Sequence, residues 1–481
     1  MSKEIGITVS KKDDLSEWYT QVVTKSGLAD YASVKGFMIL MPYGYSVWEK
    51  IKEFLDKRLK AMGHNNAYFP LLIPESFLRR EAEHFSGFTP EVFWVTSAGN
   101  DKLGERLAIR PTSETVIYDS YAKWIRSWRD LPLLINVWNS VLRAEIKMTK
   151  LFMRTSEFLW QEGHTVHADK EDTDAEVTKI LELYRQLIEE QLAIPALAGY
   201  KTDREKFVGA LYTMTLESMM PDGKALQMGT SHNLGQNFSK AFEIKYLGKD
   251  EQTHYAWNSS WGVSWRLIGA VIMLHGDDRG LVMPPRIAPV QVVVVPIPYK
   301  NAEGGDVVSR AKSVAEHLQK AGISAILDDR AQYTPGWKFN EWELKGVPVR
   351  IEIGPRDVSR QQVTIVRRDK SERTAIPEAD VVSETKKLLD AIQSSLFETA
   401  SRALKEATHD ARTYDELKRV IETDGGFVRA CWCTETACED RIKDETGATI
   451  RVVPVQDEQV FSACVCCGKT AKKVVYFARA Y

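Results

Sequence analysis

Two groups of side chains in this chain of 481 residues have the types and spacing to do chemistry. The first is a set of thiols. All six cysteines (Cys431, Cys433, Cys438, Cys464, Cys466 and Cys467) fall in the last 51 residues, and residues 1–430 contain none. Cys433-x4-Cys438 and, after 25 intervening residues, Cys464-x2-Cys467 supply two thiolate pairs on short loops, with Cys431 and Cys466 spare. Four thiolates suit Zn²⁺ in a closed tetrahedron, which leaves no open position for a substrate, so the expected metal is structural. Clustering also argues against a dispersed disulfide framework and for a reducing compartment. The second group is Arg143-Ala-Glu145, then a basic loop, then Arg154 leading to Phe158 and on to Trp160, Glu162 and His164. Two strands joined by that loop would project two arginines and a carboxylate into one cleft. The arginines could fork onto phosphate oxygens and Phe158 could stack on a purine. The glycine-rich P-loop and dinucleotide fingerprints are missing, and Lys147-Met-Thr-Lys150 reads as an exposed basic loop.

The elements that must position these groups divide the chain in three. Ser46-Val-Trp-Glu49 reads as a capping box opening a helix that Gly63 stops, with Val47, Trp48, Ile51, Phe54, Leu55, Leu59 and Met62 on one stripe. Ala67–Pro74 reads as a buried strand, and a long helix is expected from Thr173 to Leu192. After Pro284-Pro285 a βαβ pattern begins: strand Val290–Val295, helix Val307–Lys320, strand Ile323–Leu327, further strands at Val347–Ile353 and Gln362–Val366, and a closing helix Ser383–Phe397. Helix-rich sequence then leads to the cysteines. Length alone suggests about three domains. Lys and Arg total 64 against 66 Asp and Glu, a net charge of −2, which excludes a uniformly basic nucleic-acid coat and an acidic tail protein alike. The charged N-terminus lacks the apolar core of a signal peptide, and no apolar run approaches a spanning length. A cytoplasmic protein without a membrane partner is expected.

In order along the chain, these residues resemble a class II aminoacyl-tRNA synthetase, specifically the prolyl branch of archaeal/eukaryotic-like type. Gly63-x6-Pro70-Leu-Leu resembles motif 1, Arg143–Phe158 motif 2, and Trp261-Gly-Val-Ser-Trp-Arg266 followed by Gly269 motif 3. Arg110-Pro-Thr-Ser-Glu114, the run from Thr230 to Phe238 and HGDDRGLVMPP from His275 are similar to the prolyl branch, and so is the ending FARAY with its terminal Tyr481. The resemblance implies three domains. An α+β catalytic domain (1–285), an antiparallel sheet with helices, precedes an α/β anticodon-binding domain (286–400) and a small zinc-containing α/β C-terminal domain (401–481). It implies ATP-dependent ligation of L-proline to tRNA(Pro) through a prolyl-adenylate, with Mg²⁺, a structural Zn²⁺ and a homodimer built on motif 1.

By the same resemblance, Arg143 grips the α-phosphate and the proline carboxylate, Glu145 contacts the adenine, and Arg154 holds the terminal phosphates of a bent ATP. Phe158 and Arg266 sandwich the adenine, while Thr155, Gln227 and Thr230 add ATP contacts. Thr112 and Glu114 receive the secondary amine of proline. Trp160, Glu162, His164, Phe207, His232 and Ser264 shape the imino-acid pocket. Glu343, Arg350 and Arg356 read the anticodon guanines, in a stretch where Pro335–Arg373 carries nine Lys or Arg against six Asp or Glu. Cys433, Cys438, Cys464 and Cys467 hold the zinc, although some relatives space the last pair as Cys464/Cys466. Phe158 and Trp261 lie 103 positions apart, and the sequence between reads as catalytic domain, so no editing domain is expected. Motif 3 departs from the usual Ser-Thr-Arg with Ser264-Trp265-Arg266. The alternative readings are a non-catalytic synthetase-like protein that binds tRNA or regulates translation, which would be expected to lose these arginines, and a zinc-stabilised RNA-binding module. Within the enzyme class the nearest competitor is threonyl or histidyl specificity.

Overall fold

Leu133–Leu142 pairs antiparallel with Glu157–His167 through ten residue pairs, from Leu133↔Val166 to Leu142↔Glu157. Side chains of a strand alternate between faces, so Phe158, Trp160, Glu162 and His164 share one face, and Gln161, Gly163 and Thr165 the other. The computed structural model describes residues 6–84, 91–144, 149–298 and 305–481, with backbone alone at 80–84 and 305. Within them this hairpin belongs to a sheet of eleven strands. From the C-terminal end the order is Thr408–Ala411, Phe427–Trp432, Lys473–Ala478, Thr449–Pro454, Leu197–Tyr200, Tyr212–Met219, Ala225–Gly235, Trp257–Ser264, Glu157–His167, Leu133–Leu142 and Asn65–Ala67.

One face of this sheet is packed. The helix Lys170–Gln186 lies beneath it with Val177, Ile180 and Tyr184 buried, and Tyr184 donates to Gln161 Oε1 at 2.6 Å. Trp261, 2% exposed, sits opposite Gly163, where a Cβ would lie 2.0 Å from the indole. Helices Leu15–Lys25, Pro42–Ala61 and Arg266–His275 complete that core through Trp18, Val22, Val47, Ile51, Leu267 and Val271. The other face carries the chambers described below.

A second, five-stranded sheet runs Ala325–Leu327, Val292–Pro296, Val349–Ile353, Gln362–Arg367, Arg373–Pro377. Its first two pairings are parallel and the others antiparallel, as a right-handed βαβ crossover through Gly305–Lys320 requires. The helix Val381–Glu406 closes it and, with Tyr414–Thr423, leads to the cysteines as expected; the C-terminal region is α/β, four strands with helices Tyr414–Thr423 and Thr436–Thr446. That region joins the large sheet where Val453 and Pro454 pair with Tyr200 and Gly199. A Cβ on Gly199 would lie 2.2 Å from the Val453 carbonyl, so only glycine permits the approach.

Three boundaries differ from expectation. The first helix of the motif 1 segment begins at Pro42, whose missing N–H costs nothing at N1, and Ser46 donates to the Pro42 carbonyl inside the helix and does not cap it. Ala67–Pro74 is not one buried strand. Pro70 lacks a ladder donor, and the segment splits into Asn65–Ala67 at the edge of the large sheet and Leu72–Pro74 in a three-stranded sheet, with Tyr68 between them 73% exposed. The closing helix extends well past Phe397, because no glycine or proline interrupts it before Glu406.

Candidate active site

The open face of the sheet brings three strands into register. Ser264, Gly262 and Ser260 of Trp257–Ser264 lie opposite Trp160, Glu162 and His164, while Gly262 and Ser260 also lie opposite Thr230 and His232. Over this floor two chambers adjoin. One, of about 280 Å³, is lined by Arg143, Arg154, Thr155, Phe158, Gln227, Thr230, Ser264, Arg266 and Tyr481. The other, of about 220 Å³, is lined by Thr112, Glu114, Glu162, His164, Phe207 and His232. Arg143, Trp160, Gln227, Thr230 and Gly262 border both.

The first chamber is cationic. Arg143 directly follows Leu142, and its backbone N–H donates to Ser156 at 2.8 Å across the hairpin. Its Nε donates to the Pro111 carbonyl at 3.2 Å, and its guanidinium lies 5.2 Å from the Phe158 ring and 5.6 Å from Trp160. Arg154 closes a tight turn through reciprocal 2.8 Å bonds with Lys150. Arg266 opens its helix and donates Nε to the Met153 carbonyl at 3.3 Å. Burial, and then the like charge of Arg143, push its guanidinium down to about 10. Among the described residues no carboxylate lines this chamber. Three arginines gathered in one chamber make an anion site. Tyr481 enters at its rim, with the phenol donating to Asp222 at 2.7 Å. Glu145 lies outside the described residues.

The second chamber gathers buried carboxylates and histidines on one wall. Arg110 is buried and holds the loop before it by donating to the Ser140 and Phe69 carbonyls, each at 2.9 Å. That loop presents Thr112, whose hydroxyl donates to Glu114. Glu162 Oε1 accepts from Ser113 and, at 2.8 Å, from Asn139; its Oε2 lies 3.0 Å from His164 Nε2. Burial alone raises a carboxylate, but the hydrogen bonds to Glu162, His164 foremost, outweigh it and hold Glu162 below its ordinary value. Burial lowers an imidazole, yet Glu162 and then Glu114 leave His164 raised. Glu114, buried beside another carboxylate, is raised. His232 is pushed down to about 3 by burial and by His164, and its Nδ1 lies 2.8 Å from Thr213 Oγ1. Glu114, Glu162 and His164 form a buried charged cluster on one wall, and Arg143, Lys201, Glu205 and Lys206 add both signs of charge to the lining. Aromatic walls close it: Phe207 lies 4.8 Å from His232, and Trp160 stands across the chamber.

Sequence reasoning missed Ser113, Asn139 and Tyr118, which orient Glu162 and His164; Tyr118 lies 3.2 Å from His164 Nδ1. Asn139 left a faint signal as a polar residue inside the apolar run LLINVWNSVL. Ser260, whose buried hydroxyl has no partner among the described residues, also lines the second chamber.

The thiols behave as their spacing suggested. The sulfurs of Cys433, Cys438, Cys464 and Cys467 lie within 4.8 Å of one another. Cys433 stands 3.6 Å from Cys438 and 3.7 Å from Cys467, close to the ~3.8 Å edge of a tetrahedron with metal–sulfur bonds of about 2.3 Å. This donor set fits a metal ion and can hold one. Cys431 is set apart, accepting from the Phe461 N–H at 3.3 Å. Asp277 forms a polar turn with Gly280 and binds Arg368 through two bonds of 2.6 and 2.7 Å. Of the residues expected to read bases, Glu343 accepts from Arg279 at 2.6 Å. Arg350 pairs with Glu352 at 3.0 Å, Arg356 is exposed, and no contact among the described residues joins the three.

Comparison with known proteins gives three domain families in order. Residues 93–275 match the tRNA synthetase class II core domain (G, H, P, S and T), 291–388 the anticodon binding domain, and 414–481 the prolyl-tRNA synthetase C-terminal domain. The proline–tRNA ligase of Cenarchaeum symbiosum is 56% identical over 478 residues, which cover 99% of this chain and 100% of that protein. That of Alkaliphilus oremlandii is 52% identical over 97% of this chain and 96% of its own, and proline–tRNA ligase 2 of Clostridioides difficile is 51% identical over 98% and 97%.

Proposed function

The chain belongs to the proline–tRNA ligases, a family of class II aminoacyl-tRNA synthetases, and we infer that its two chambers divide the ATP-dependent ligation of L-proline to tRNA(Pro) between them. ATP occupies the cationic chamber, with the adenine between Phe158 and Arg266, the α-phosphate at Arg143 and the terminal phosphates at Arg154. Thr155, Gln227 and Thr230 supply further polar contacts. Proline occupies the second chamber, its secondary ammonium at Thr112 and Glu114 and its ring between Trp160, Phe207 and His232. Ser264, expected in the imino-acid pocket, lines the cationic chamber instead and lies opposite Trp160.

The single observation that carries this reading is the position of Arg143 on the wall common to both chambers. A guanidinium there can hold the attacking carboxylate and the attacked phosphate at once. The proline carboxylate is ionised at neutral pH and needs no general base. It attacks the α-phosphorus, pyrophosphate leaves, and the prolyl-adenylate then passes its acyl group to the terminal adenosine of the tRNA with release of AMP. The protein's contribution is alignment and charge stabilisation. Mg²⁺ comes with ATP as the counter-ion of its phosphates, since no carboxylate among the described residues of that chamber would hold it independently. The retained Arg143, Arg154 and Arg266 favour a catalyst over a non-catalytic descendant.

The remaining parts follow the same reading. The chain is of the archaeal/eukaryotic-like type, without an editing domain between motifs 2 and 3. In support, residues 159–260 are taken up by strands of the large sheet and the elements packed on it. The domains divide near 285 and 400. Zinc sits structurally among Cys433, Cys438, Cys464 and Cys467. Glu343, Arg350 and Arg356 meet the anticodon. A homodimer forms on the motif 1 segment, where Tyr45 and Tyr68 are exposed and Asn65–Ala67 is the edge strand of the large sheet. No helix among the described residues is long and apolar enough to cross a membrane, and the enzyme works in the cytoplasm.

Pyrophosphate exchange into ATP, run with each amino acid in turn, tests the assignment. Proline-dependent exchange supports it. Exchange driven by threonine or histidine refutes the pocket, and exchange with no amino acid returns the chain to the non-catalytic reading.

A further inference from the structure

Phe207 ends the segment Lys201–Phe207, which has no helix or strand of its own and is held by the C-terminal domain. Thr202, 6% exposed, donates its hydroxyl to Glu439 Oε1 at 2.5 Å, and Glu439 is itself 3% exposed. The carbonyl of Thr202 accepts the backbone N–H groups of Glu205 at 3.1 Å and Lys206 at 2.9 Å. The hydroxyl that Glu439 grips therefore belongs to the residue on which the turn before Phe207 is built. Next along the segment, Glu205 Oε2 accepts from Arg451 Nη1 at 3.2 Å. Lys201 donates to the Arg451 carbonyl at 3.0 Å and to Glu217 Oε1 at 2.5 Å, and Arg451 Nη2 reaches the same Glu217 oxygen at 3.0 Å. Arg204 and Asp440 add a pair at 2.8 Å, but both are exposed. At its far end the Phe207 N–H donates at 3.0 Å to Thr213 Oγ1, the same oxygen that meets His232.

Charge-assisted bonds between buried groups are the strong ones, and leaving one partner without the other costs more than the bond itself. Exposed pairs contribute little. The buried clamp at Thr202 and the half-buried one at Glu205 thus fix the middle of a segment that, among the described residues, the catalytic domain bonds at Lys201, Lys206 and Phe207. Glu439 and Arg451 both come from the C-terminal domain, on the helix Thr436–Thr446 and the strand Thr449–Pro454.

We propose that Glu439 and Arg451 are positioning residues for proline: by holding Thr202 and Glu205 they set the Phe207 ring against His232 in the amino-acid chamber. The C-terminal domain is then part of amino-acid recognition without touching the amino acid. This rests on the proline reading of that chamber given above. An error of about 1 Å in a positioning element can cost up to ~100-fold, so removing one clamp of two should cost less.

The test uses the full-length protein, proline-dependent pyrophosphate exchange and thermal unfolding. Glu439→Ala and Thr202→Val each raise KM for proline about tenfold, leaving KM for ATP within about twofold. Because they break one contact from its two sides, the double variant is no worse than either single one. Glu439→Gln keeps an acceptor for Thr202 and recovers most of the loss. Arg451→Lys shifts KM for proline in the same sense, and Asp440→Ala, at the exposed pair, leaves it unchanged. If Glu439→Ala fails to fold, Thr202→Val reads the same bond. An unchanged KM for proline in Thr202→Val and Arg451→Lys overturns the proposal, as does a parallel rise for proline and ATP that tracks lost thermal stability. A wild-type protein without proline-dependent exchange overturns the functional reading instead.

Discussion

His164 Nε2 lies 3.0 Å from Glu162 Oε2, two residues apart on one strand, with both side chains almost wholly shielded from water. The pair is buried beneath a second carboxylate, Glu114, and its cation is what keeps two neighbouring anions from adding up. Within this cluster of three, one carboxylate is left over to face a secondary ammonium.

Replacing His164 by Gln should therefore destabilise the fold by about 3 kcal/mol, because it leaves Glu162 charged and unpaired in the interior. Glu162 titrates below its ordinary 4.5 and His164 above its ordinary 6.5. The pair's contribution is then complete between those two ordinary values. It is lost as pH falls through the lowered Glu162 value, and again as pH rises through the raised His164 value. Denaturant titrations of wild type and His164→Gln at several pH values should show the largest difference near pH 5 to 6. A difference independent of pH would show that the ion pair is not its source.

Glu114 must be ionised to receive the proline ammonium, yet burial holds its carboxyl above the ordinary 4.5. KM for proline should rise as pH falls through that raised value, starting at higher pH than a solvent-exposed glutamate would allow, while KM for ATP stays level. Glu114→Gln should raise KM for proline by at least about 30-fold, the ~2 kcal/mol or more lost on truncating a buried charge pair, and should flatten the pH dependence.

Two histidines make the fold itself sensitive to acid. Burial pushes His232 down to about 3 and His275 to about 4, whereas in the unfolded chain each titrates near 6.5. Between about pH 4 and 6.5 the unfolded chain binds more protons, so stability rises with pH by up to about 1.4 kcal/mol per unit for each histidine. His275 donates to the Leu192 carbonyl at 2.9 Å. His275→Gln should keep that bond and lower the slope of stability against pH by about 1.4 kcal/mol per unit. An unchanged slope would place the acid sensitivity elsewhere.

Cys433 is close to two of its three thiol neighbours, at 3.6 and 3.7 Å. Cys433→Ser should abolish bound zinc, measured by elemental analysis at one ion per chain in the wild type, and lower the unfolding temperature. Cys431→Ser should keep the full metal content, since Cys431 stands outside the cluster.

The chemistry of this molecule was more legible in the sequence than its architecture. Arg143, Arg154 and Phe158 converge as their spacing implied, because a hairpin is a local structure that sequence distance constrains, whereas Arg266 joins them as the family resemblance implied. The spacing also pointed to the cluster of four thiols, although it left Cys466 as a rival to Cys467 that the sulfur positions decide against. What could not be read depends on contacts between distant segments. The pairing of Gly199 with Pro454, which merges the C-terminal domain into the catalytic sheet, joins residues 255 positions apart, and nothing near either announces it. Ser113 and Asn139 look like ordinary polar residues until the fold points both at Glu162. The helix start at Pro42 was hidden by a capping-box pattern at Ser46 that tertiary structure leaves unused.

The most direct test of the account is the formation of prolyl-tRNA by the purified protein from proline, ATP and a tRNA(Pro) transcript, with Arg266→Ala as control. The account predicts ATP-dependent charging of tRNA(Pro) with proline, lost in Arg266→Ala. Failure of the wild type to charge tRNA(Pro), or equal charging by Arg266→Ala, would contradict it.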